Sequence, residues 1–340
     1  MAGEHLTKPI EGHYIETPEG LLFAVKGLSH PERLVIAYLR YVPDPEGDRV
    51  KDTRRYRRVY ELDETDEFLR RNYPHYLNTV ESKNLTLQSV PIEKISRVYS
   101  PKERLRTLLE RQESELEEAT AEFVHALSYE SGVSYNDLGV SGSILIELAR
   151  ETSDIDLIVY GIEAGRKVYN TLKRLRAIGN WVRPYDSETV RKIVRARWGD
   201  AGLELDKMYP IEARKVLHGL VDGRDYFVRL VWKPWEFEQE AFSRPHKKVV
   251  VRAGVVGSEE SIFTPCIYTV NECSHVHPSQ GPDVEQLVSY RGKFTEQAGE
   301  GDVVEARGTL EEAIYPDRKI YRVMLGGRGD YLIPLSVLDR

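Results

Sequence analysis

Cysteine is scarce in this sequence, and long apolar runs are missing. Two cysteines occur among 340 residues, too few for a disulfide framework, and their scarcity suits a reducing compartment. The apolar runs, such as residues 143–149, fall far short of the ~20 residues that span a bilayer. The first residues contain no apolar core of a signal peptide. We therefore expect a cytoplasmic protein with no membrane partner.

The sequence also lacks an excess of positive charge. Lysine and arginine number 48 against 55 acidic residues, a net charge of -7, which argues against a uniformly basic nucleic-acid binder. Hydrophobic residues make up 41% and charged residues 30%, the balance of a folded, soluble protein. Abundant Glu and Arg with little Asn and Gln is typical of a thermophile. The length allows two or three domains, each with its own core.

Three segments are expected from the residue patterns. Residues 1–98 predict a strand-rich accessory domain of α/β type that opens with a hairpin. Residues 99–244 predict an α/β domain, beginning with a Ser100 and Glu103 capping box and a helix that reaches residue 131. Residues 245–340 contain short strand patterns separated by Gly or Pro turns, which predict a small β-barrel with an OB-like fold as one form.

The segment 140–161 contains the residues best suited to chemistry. A strand runs into Gly142-Ser143, followed by eight residues of amphipathic helix and an Asp154-Ile155-Asp156 strand. Free backbone N–H groups at a helix amino terminus favour phosphate, and the Ser143 hydroxyl adds a donor. Asp154 and Asp156 project from one face of the strand. Their carboxylates are hard oxygen ligands for Mg²⁺ or Mn²⁺, completed by substrate phosphates and water.

This segment resembles the active-site segment of the DNA polymerase beta-like nucleotidyltransferase superfamily, whose pattern is a Gly-Ser pair, a helical spacer and an Asp-x-Asp strand. The resemblance implies an α+β protein with a polymerase beta-like core. It places Gly142, Ser143 and Ser153, the residue before the Asp-x-Asp strand, at the nucleoside triphosphate. It also makes Asp154 and Asp156 the catalytic metal ligands. The whole chain is also loosely similar to uncharacterised archaeal proteins predicted to be nucleotidyltransferases.

The sequence departs from the family pattern at the third carboxylate, which the family usually supplies from a later strand. That strand is expected at residues 226–232, where the inward position is Arg229. An arginine can neither bind Mg²⁺ nor act as a base at neutral pH. Arg229 is instead a candidate for phosphate contact, and so is Lys215, on the short helix expected before this strand. Asp225, Glu204 and Asp206 are the carboxylates that could replace the missing one.

Two basic regions and one Cys/His cluster remain. Residues 51–58 interleave basic and aromatic side chains, and residues 165–198 are locally basic. Either region could contact an RNA backbone or a triphosphate tail, and either could be a solvated face. The spacing of the Cys/His cluster is wider than in usual zinc sites, so zinc binding and ordinary packing both stay open. That cluster comprises Cys266, Cys273, His275 and His277.

We therefore expect a magnesium-dependent nucleotidyltransferase. It would transfer a nucleoside monophosphate from a nucleoside triphosphate to a hydroxyl acceptor, with RNA as one candidate acceptor. The alternative is a catalytically weak or inactive protein that binds nucleotide or RNA, because Arg229 stands where the third carboxylate is expected. No oligomeric state is favoured by the sequence.

Overall fold

The chain divides into two compact units. The computed structural model describes residues 8–338. Unit 1 comprises the chain up to residue 80 together with 85–168 and 224–228. Unit 2 comprises 81–84, 169–223 and the chain from residue 229 onward. The predicted boundaries at residues 98 and 244 fall inside these units, and the division into three domains stays a prediction.

Unit 1 begins with an eight-stranded sheet. Its main path runs in the order β4-β5-β3-β2-β1-β8, and β7 pairs with both β3 and β6. These neighbours are antiparallel, as expected of strands joined by short turns. Helix α1 buries Leu69 in the core on one face of the sheet. The elements are β1 (Tyr14–Glu16), β2 (Leu22–Val25), β3 (Leu34–Pro43), β4 (Arg49–Lys51), β5 (Arg54–Arg58), α1 (Leu62–Asn72), β6 (Leu77–Val80), β7 (Leu85–Pro91) and β8 (Arg97–Tyr99).

Two helices follow the sheet where a single long helix was predicted. The Ser100 side chain accepts a hydrogen bond from the Glu103 N–H at 3.4 Å and so caps the first helix as predicted. Ser114 caps the second by accepting from the Glu117 N–H at 3.3 Å. The Ser114 cap accounts for the second helix, because a capping serine satisfies an N–H group at the amino terminus of a new helix. The elements that follow in unit 1 are α2 (Pro101–Glu110), α3 (Glu115–Ser131), β9 (Leu138–Val140), α4 (Gly142–Leu145), β10 (Ile155–Tyr160) and the start of α5 (Ile162–Ile178).

Unit 2 starts within α5 and continues as helices and short strands. In the sheet order, β12 lies between β11 and β13, and β13 is also the neighbour of β10. The first residues of β13 belong to unit 1. Within residues 8–338, no helix combines the length and the apolar character needed to cross a bilayer. These elements are β11 (Val182–Arg183), α6 (Ser187–Trp198), α7 (Leu205–Arg214), β12 (His218–Val221) and β13 (Arg224–Val231).

The end of unit 2 is a curled sheet in the order β14-β16-β17-β19-β18-β20. Strand β14 pairs with both β16 and β18, and its pairing with β16 contains register shifts. Such bulges bend a strand, which lets the sheet curl into a half-barrel. The elements are β14 (Phe242–Gly257), β15 (Phe263–Thr264), β16 (Cys266–His277), β17 (Gln286–Ser289), β18 (Val303–Ile314), β19 (Lys319–Leu325), β20 (Tyr331–Pro334) and α8 (Leu335–Leu338).

The predicted fold class was wrong. The protein is 36% strand and 31% helix, arranged as three mostly antiparallel or mixed sheets with a half-barrel. It therefore has neither a polymerase beta-like α+β core with an N-terminal α/β domain nor a separate small OB-like barrel. The strand pairs of the first 98 residues are antiparallel, whereas an α/β sheet is built from parallel strands joined by crossover helices. In unit 2, Val194 of α6 and Ile211 of α7 share one core with Val251 and Val323 of the half-barrel, so the half-barrel is not an independent domain.

Candidate functional site

The two aspartates of the motif lie on one side of strand β10. Asp154 directly precedes the strand, and Asp156 is its second residue. Both are half-buried, whereas Ile155 and Leu157 are buried. Because strand side chains alternate between faces, the two carboxylates point to the same side. This geometry is what a pair of metal ligands needs, while the catalytic role of the two residues stays a prediction.

Gly142 lies directly against the carboxylate of Asp156. Strands β9 and β10 are antiparallel, with Val140 opposite Leu157, and the Ser141 N–H donates to the Asp156 carbonyl at 2.8 Å. Gly142 has a φ of +59°, and a Cβ at this position would overlap the Asp156 carboxylate, 2.7 Å from its Cγ. Both the backbone conformation and the space therefore require glycine. The structure thus brings the Gly-Ser turn and Asp156 together.

The spacer after the Gly-Ser pair is one helical turn and not the predicted eight-residue helix. Helix α4 ends at Leu145, and Glu147 adopts a left-handed φ of 61°. The chain turns because Leu145, Ile146 and Leu148 are buried against the N-terminal sheet. A single turn has no substantial macrodipole to attract phosphate, and what remains is the set of N–H groups that lack intrahelical partners. Ser143, in this turn, is 6% exposed.

Ser153 holds the loop that precedes the aspartates. Its hydroxyl oxygen accepts from the Arg150 N–H at 2.9 Å and from the Arg49 guanidinium at 3.1 Å. Arg49 also donates to the Leu148 carbonyl at 2.9 Å. Ser153 is 7% exposed, and its hydroxyl oxygen forms hydrogen bonds within the protein. These bonds assign it a positioning role, and nucleotide contact by Ser153 stays a prediction.

The N-terminal sheet forms one wall beside this loop, which the sequence did not reveal. Leu145, Ile146 and Leu148 share an apolar cluster with side chains from four strands of that sheet. The register pairs Tyr41 of β3 with Arg58 of β5, and residues directly opposite in an antiparallel pair lie on the same face. The sheet residues in the cluster are Leu22, Tyr41, Tyr56 and Tyr99, with Tyr14 packed against them.

The pKa of the Tyr41 hydroxyl is affected by charged groups of both signs. Burial raises the pKa of its hydroxyl, Arg58 and Arg49 oppose this rise, and Asp156 and Asp154 add to it. Two arginines of the N-terminal sheet and both aspartates therefore act on one hydroxyl. The only sequence signal was the basic and aromatic run 51–58, and nothing in that run indicated that it lies near the aspartates.

The residues considered at the third carboxylate position lie on β13 and at the start of α7. Arg229 is half-buried on β13, on the opposite face from buried Val228 and Leu230. Asp225 is exposed near the start of the same strand, while Glu204 and Asp206 lie at the start of α7 in unit 2. Across residues 8–338, no group of three or more His, Cys, Asp or Glu side chains is placed to hold a metal ion. Phosphate contact by Arg229 stays a prediction.

Lys215 lies in a buried ion cluster of unit 2. Its side chain is 0% exposed, and its ammonium donates to Glu212 at 2.8 Å and to the Lys293 carbonyl at 2.7 Å. Burial lowers the pKa of Lys215, and Glu212 acts against that shift. The ammonium is thus already bound by a carboxylate and a carbonyl. Nucleotide binding by Lys215 stays a prediction that these surroundings do not support.

The remaining clusters noted in the sequence are largely engaged in local contacts. Arg176 of α5 donates to the carbonyls of Ala213 and His218 at 2.7 and 3.2 Å, so this part of the basic region ties helix to strand. Cys266 and Cys273 lie on one strand, β16, with six residues between them, and seven steps along a strand span about 23 Å. A shared zinc ion is incompatible with that separation. His275 lies with Nε2 2.8 Å from the Pro282 carbonyl oxygen.

Comparison with known proteins finds a relative across nearly the whole chain. An uncharacterized protein of Methanocaldococcus jannaschii is 29% identical over 328 residues, which cover 92% of this chain and 94% of that protein. No protein-family model matches the chain. No solved structure matches it either. The similarity thus extends across both compact units and is not confined to the segment 140–161.

Proposed function

We propose that this protein is a metal-dependent nucleotidyltransferase that moves a nucleoside monophosphate from a nucleoside triphosphate to a hydroxyl acceptor. The observation that carries the proposal is the placement of the Asp156 carboxylate against Gly142, with Asp154 on the same side of the chain. A phosphate chain at the Gly142-Ser143 turn would therefore lie beside two carboxylates. Few other activities need this combination on a rigid strand.

The residues fit a magnesium or manganese ion. Two half-buried carboxylates supply hard oxygen ligands, and such ions use one or two carboxylates with phosphate oxygens and water. When bound, the ion would neutralise charge on the leaving phosphates. In the transfer, the acceptor oxygen bonds to the α-phosphorus and the bond to the bridging oxygen breaks. Pyrophosphate leaves with the electron pair, and the acceptor proton passes to solvent.

A second candidate function is nucleotide binding without turnover. It is favoured by the absence, within residues 8–338, of a cluster of three metal-binding side chains. Arg229 occupies the strand position where the superfamily resemblance implies a carboxylate, and arginine cannot take a proton from the acceptor at neutral pH. Two carboxylates would then hold a metal-nucleotide complex with no group to activate an acceptor.

Label transfer tests the proposal directly. The protein is incubated with each α-labelled nucleoside triphosphate, Mg²⁺ or Mn²⁺, and either total cellular RNA or a pool of small hydroxyl compounds. We expect wild-type protein to attach label to one acceptor class, and the Asp154→Ala plus Asp156→Ala variant to fall to background because both metal ligands are gone. Asp63→Asn, an exposed carboxylate on α1, serves as the control and should retain transfer.

The outcomes separate the two candidate functions. Metal-dependent nucleotide binding without label transfer to any acceptor would favour the binding protein. Absence of nucleotide binding by the wild-type protein would contradict both candidates. Transfer by the double aspartate variant at the wild-type rate would show that the activity does not belong to this site.

A further inference from the structure

Arg58 is a half-buried arginine without an acidic partner. Its Nε is buried and makes no hydrogen bond among the described residues. Its guanidinium carbon lies 4.2 Å from the centroid of the Tyr60 ring and 6.0 Å from that of the Tyr41 ring. A buried donor without a hydrogen bond is unfavourable, so an anionic ligand that accepts from this arginine would be stabilising. No carboxylate of residues 8–338 lies within ion-pair distance of it.

The neighbouring arginines are engaged differently. Arg57 pairs with Asp44 at 3.0 Å and with Glu64 at 3.1 Å. Arg55 donates to the Gly47 carbonyl at 2.7 Å. The Nε of Arg49, like that of Arg58, makes no hydrogen bond with any residue that the structure describes, but Arg49 lies 3.8 Å from Asp48 and donates to the Leu148 carbonyl and to Ser153. Among these four arginines, Arg58 alone has only aromatic rings as contacts.

The location of Arg58 indicates which anion it receives. Arg58 lies opposite Tyr41 in the pairing of β3 with β5, and Tyr41 packs with Leu145 and Leu148 of the segment that joins the Gly142-Ser143 turn to the aspartates. The guanidinium is therefore carried by the wall that packs on this segment. The two aspartate carboxylates exclude an acidic ligand unless a metal ion accompanies it. A metal-bound phosphate chain meets this condition, because the metal faces the aspartates and the outer phosphates are left for a cation. An arginine fork matches phosphate oxygens in two parallel hydrogen bonds.

We propose that Arg58 binds the β- and γ-phosphates of the nucleoside triphosphate, so that the N-terminal sheet recognises the leaving pyrophosphate. This inference rests on the proposed function. The contact with the Tyr60 ring at 4.2 Å holds the guanidinium by a cation–π interaction, which leaves its N–H groups for the ligand. The N-terminal sheet is then part of the substrate site and not an accessory domain. Selectivity for triphosphate over monophosphate arises at Arg58.

The test compares nucleotides that differ only in phosphate number. Binding of a nucleoside mono-, di- and non-hydrolysable triphosphate is measured with Mg²⁺ by calorimetry for wild-type protein, Arg58→Gln and Arg57→Gln. We expect Arg58→Gln to weaken triphosphate binding on the order of 10- to 100-fold and monophosphate binding by less than about twofold. Arg57→Gln, at the preceding residue of the same strand, should change neither. Inorganic pyrophosphate should compete for the wild-type protein and lose affinity for Arg58→Gln.

Each result decides the proposal. Equal triphosphate affinity in Arg58→Gln and wild type, with binding still lost in Asp154→Ala plus Asp156→Ala, overturns the role of Arg58 and leaves the proposed function standing. Equal weakening for all three nucleotides also overturns it, because the effect is then not on the outer phosphates. No binding of any nucleotide by wild-type protein overturns both. A thermal unfolding curve for Arg58→Gln near that of wild type establishes that binding was measured on folded protein.

Discussion

Replacing Gly142 with alanine is expected to lower nucleotide transfer by at least about 100-fold while the protein stays folded. The new methyl group would overlap the Asp156 carboxylate, 2.7 Å from its Cγ, and must displace it. A shift of about 1 Å in a reacting group can cost about 100-fold in rate. Metal-dependent nucleotide binding should fall with transfer, because the same carboxylate serves both. Label transfer and calorimetry measure the two effects.

Gly132→Ala is the matched control for this change. Gly132 ends α3 with a φ of +67°, close to the +59° of Gly142, and a Cβ there meets nothing within 4 Å. Both substitutions therefore carry a similar backbone strain of about 1 kcal/mol, but only one touches Asp156. Gly132→Ala should keep full transfer with a slightly lowered melting temperature. Equal loss of activity in both variants would attribute the effect to strain and not to the contact.

Replacing Glu212 with alanine is expected to lower the free energy of unfolding by about 3–5 kcal/mol. Glu212 is fully buried and accepts from Lys215 at 2.8 Å, Arg197 at 2.9 Å and the Trp198 indole at 2.9 Å. Burial would raise the pKa of Glu212, but Lys215, His218 and Arg197 hold it well below its usual range. Its removal leaves the buried Lys215 ammonium without the carboxylate to which it donates. Urea unfolding followed by circular dichroism measures the change.

The sign of the pH effect follows from the lowered pKa of Glu212. A carboxyl group whose pKa is depressed in the folded state stabilises the fold at pH values above the pKa it has in the unfolded chain, near 4.3. That contribution to stability is lost as the pH falls through the pKa of the folded state.

Glu188→Ala is the control for Glu212→Ala. It breaks an exposed pair with Lys192 on α6 and should lower the free energy of unfolding by less than about 0.5 kcal/mol. The double change Glu212→Leu and Lys215→Met should recover most of the loss. Similar stability of Glu212→Ala and Glu188→Ala would contradict the account of this cluster.

Local signals in the sequence predicted local structure well. Ser100 and Glu103 predicted the start of α2, and the structure confirms the cap. The alternation from Tyr226 predicted β13, and the turn-separated runs after residue 245 predicted strands that correspond to β14 and β16–β20. These features depend on neighbours a few residues apart, so composition and spacing suffice to identify them.

What the sequence did not reveal depends on contacts between distant segments. The apolar pattern after Ser143 fits an amphipathic helix, but Leu145 and Leu148 pack on the N-terminal sheet and the chain turns after one helical turn. The pattern cannot show which surface receives an apolar side chain. The same reason explains the wrong fold class, because the helices predicted for the nucleotidyltransferase core pack on the half-barrel. The sequence suggested that Lys215 was an available cation because it does not show that Glu212 forms a buried ion pair with it.

The central claim is that Asp154 and Asp156 form a metal site together with nucleotide at the Gly142-Ser143 turn. Titration of Mn²⁺ followed by electron paramagnetic resonance, with a non-hydrolysable nucleoside triphosphate present, tests it most directly. Wild-type protein should bind the ion together with the nucleotide, and Asp154→Asn plus Asp156→Asn should weaken that binding at least about 10-fold. Equal Mn²⁺ affinity in the two proteins would contradict the claim.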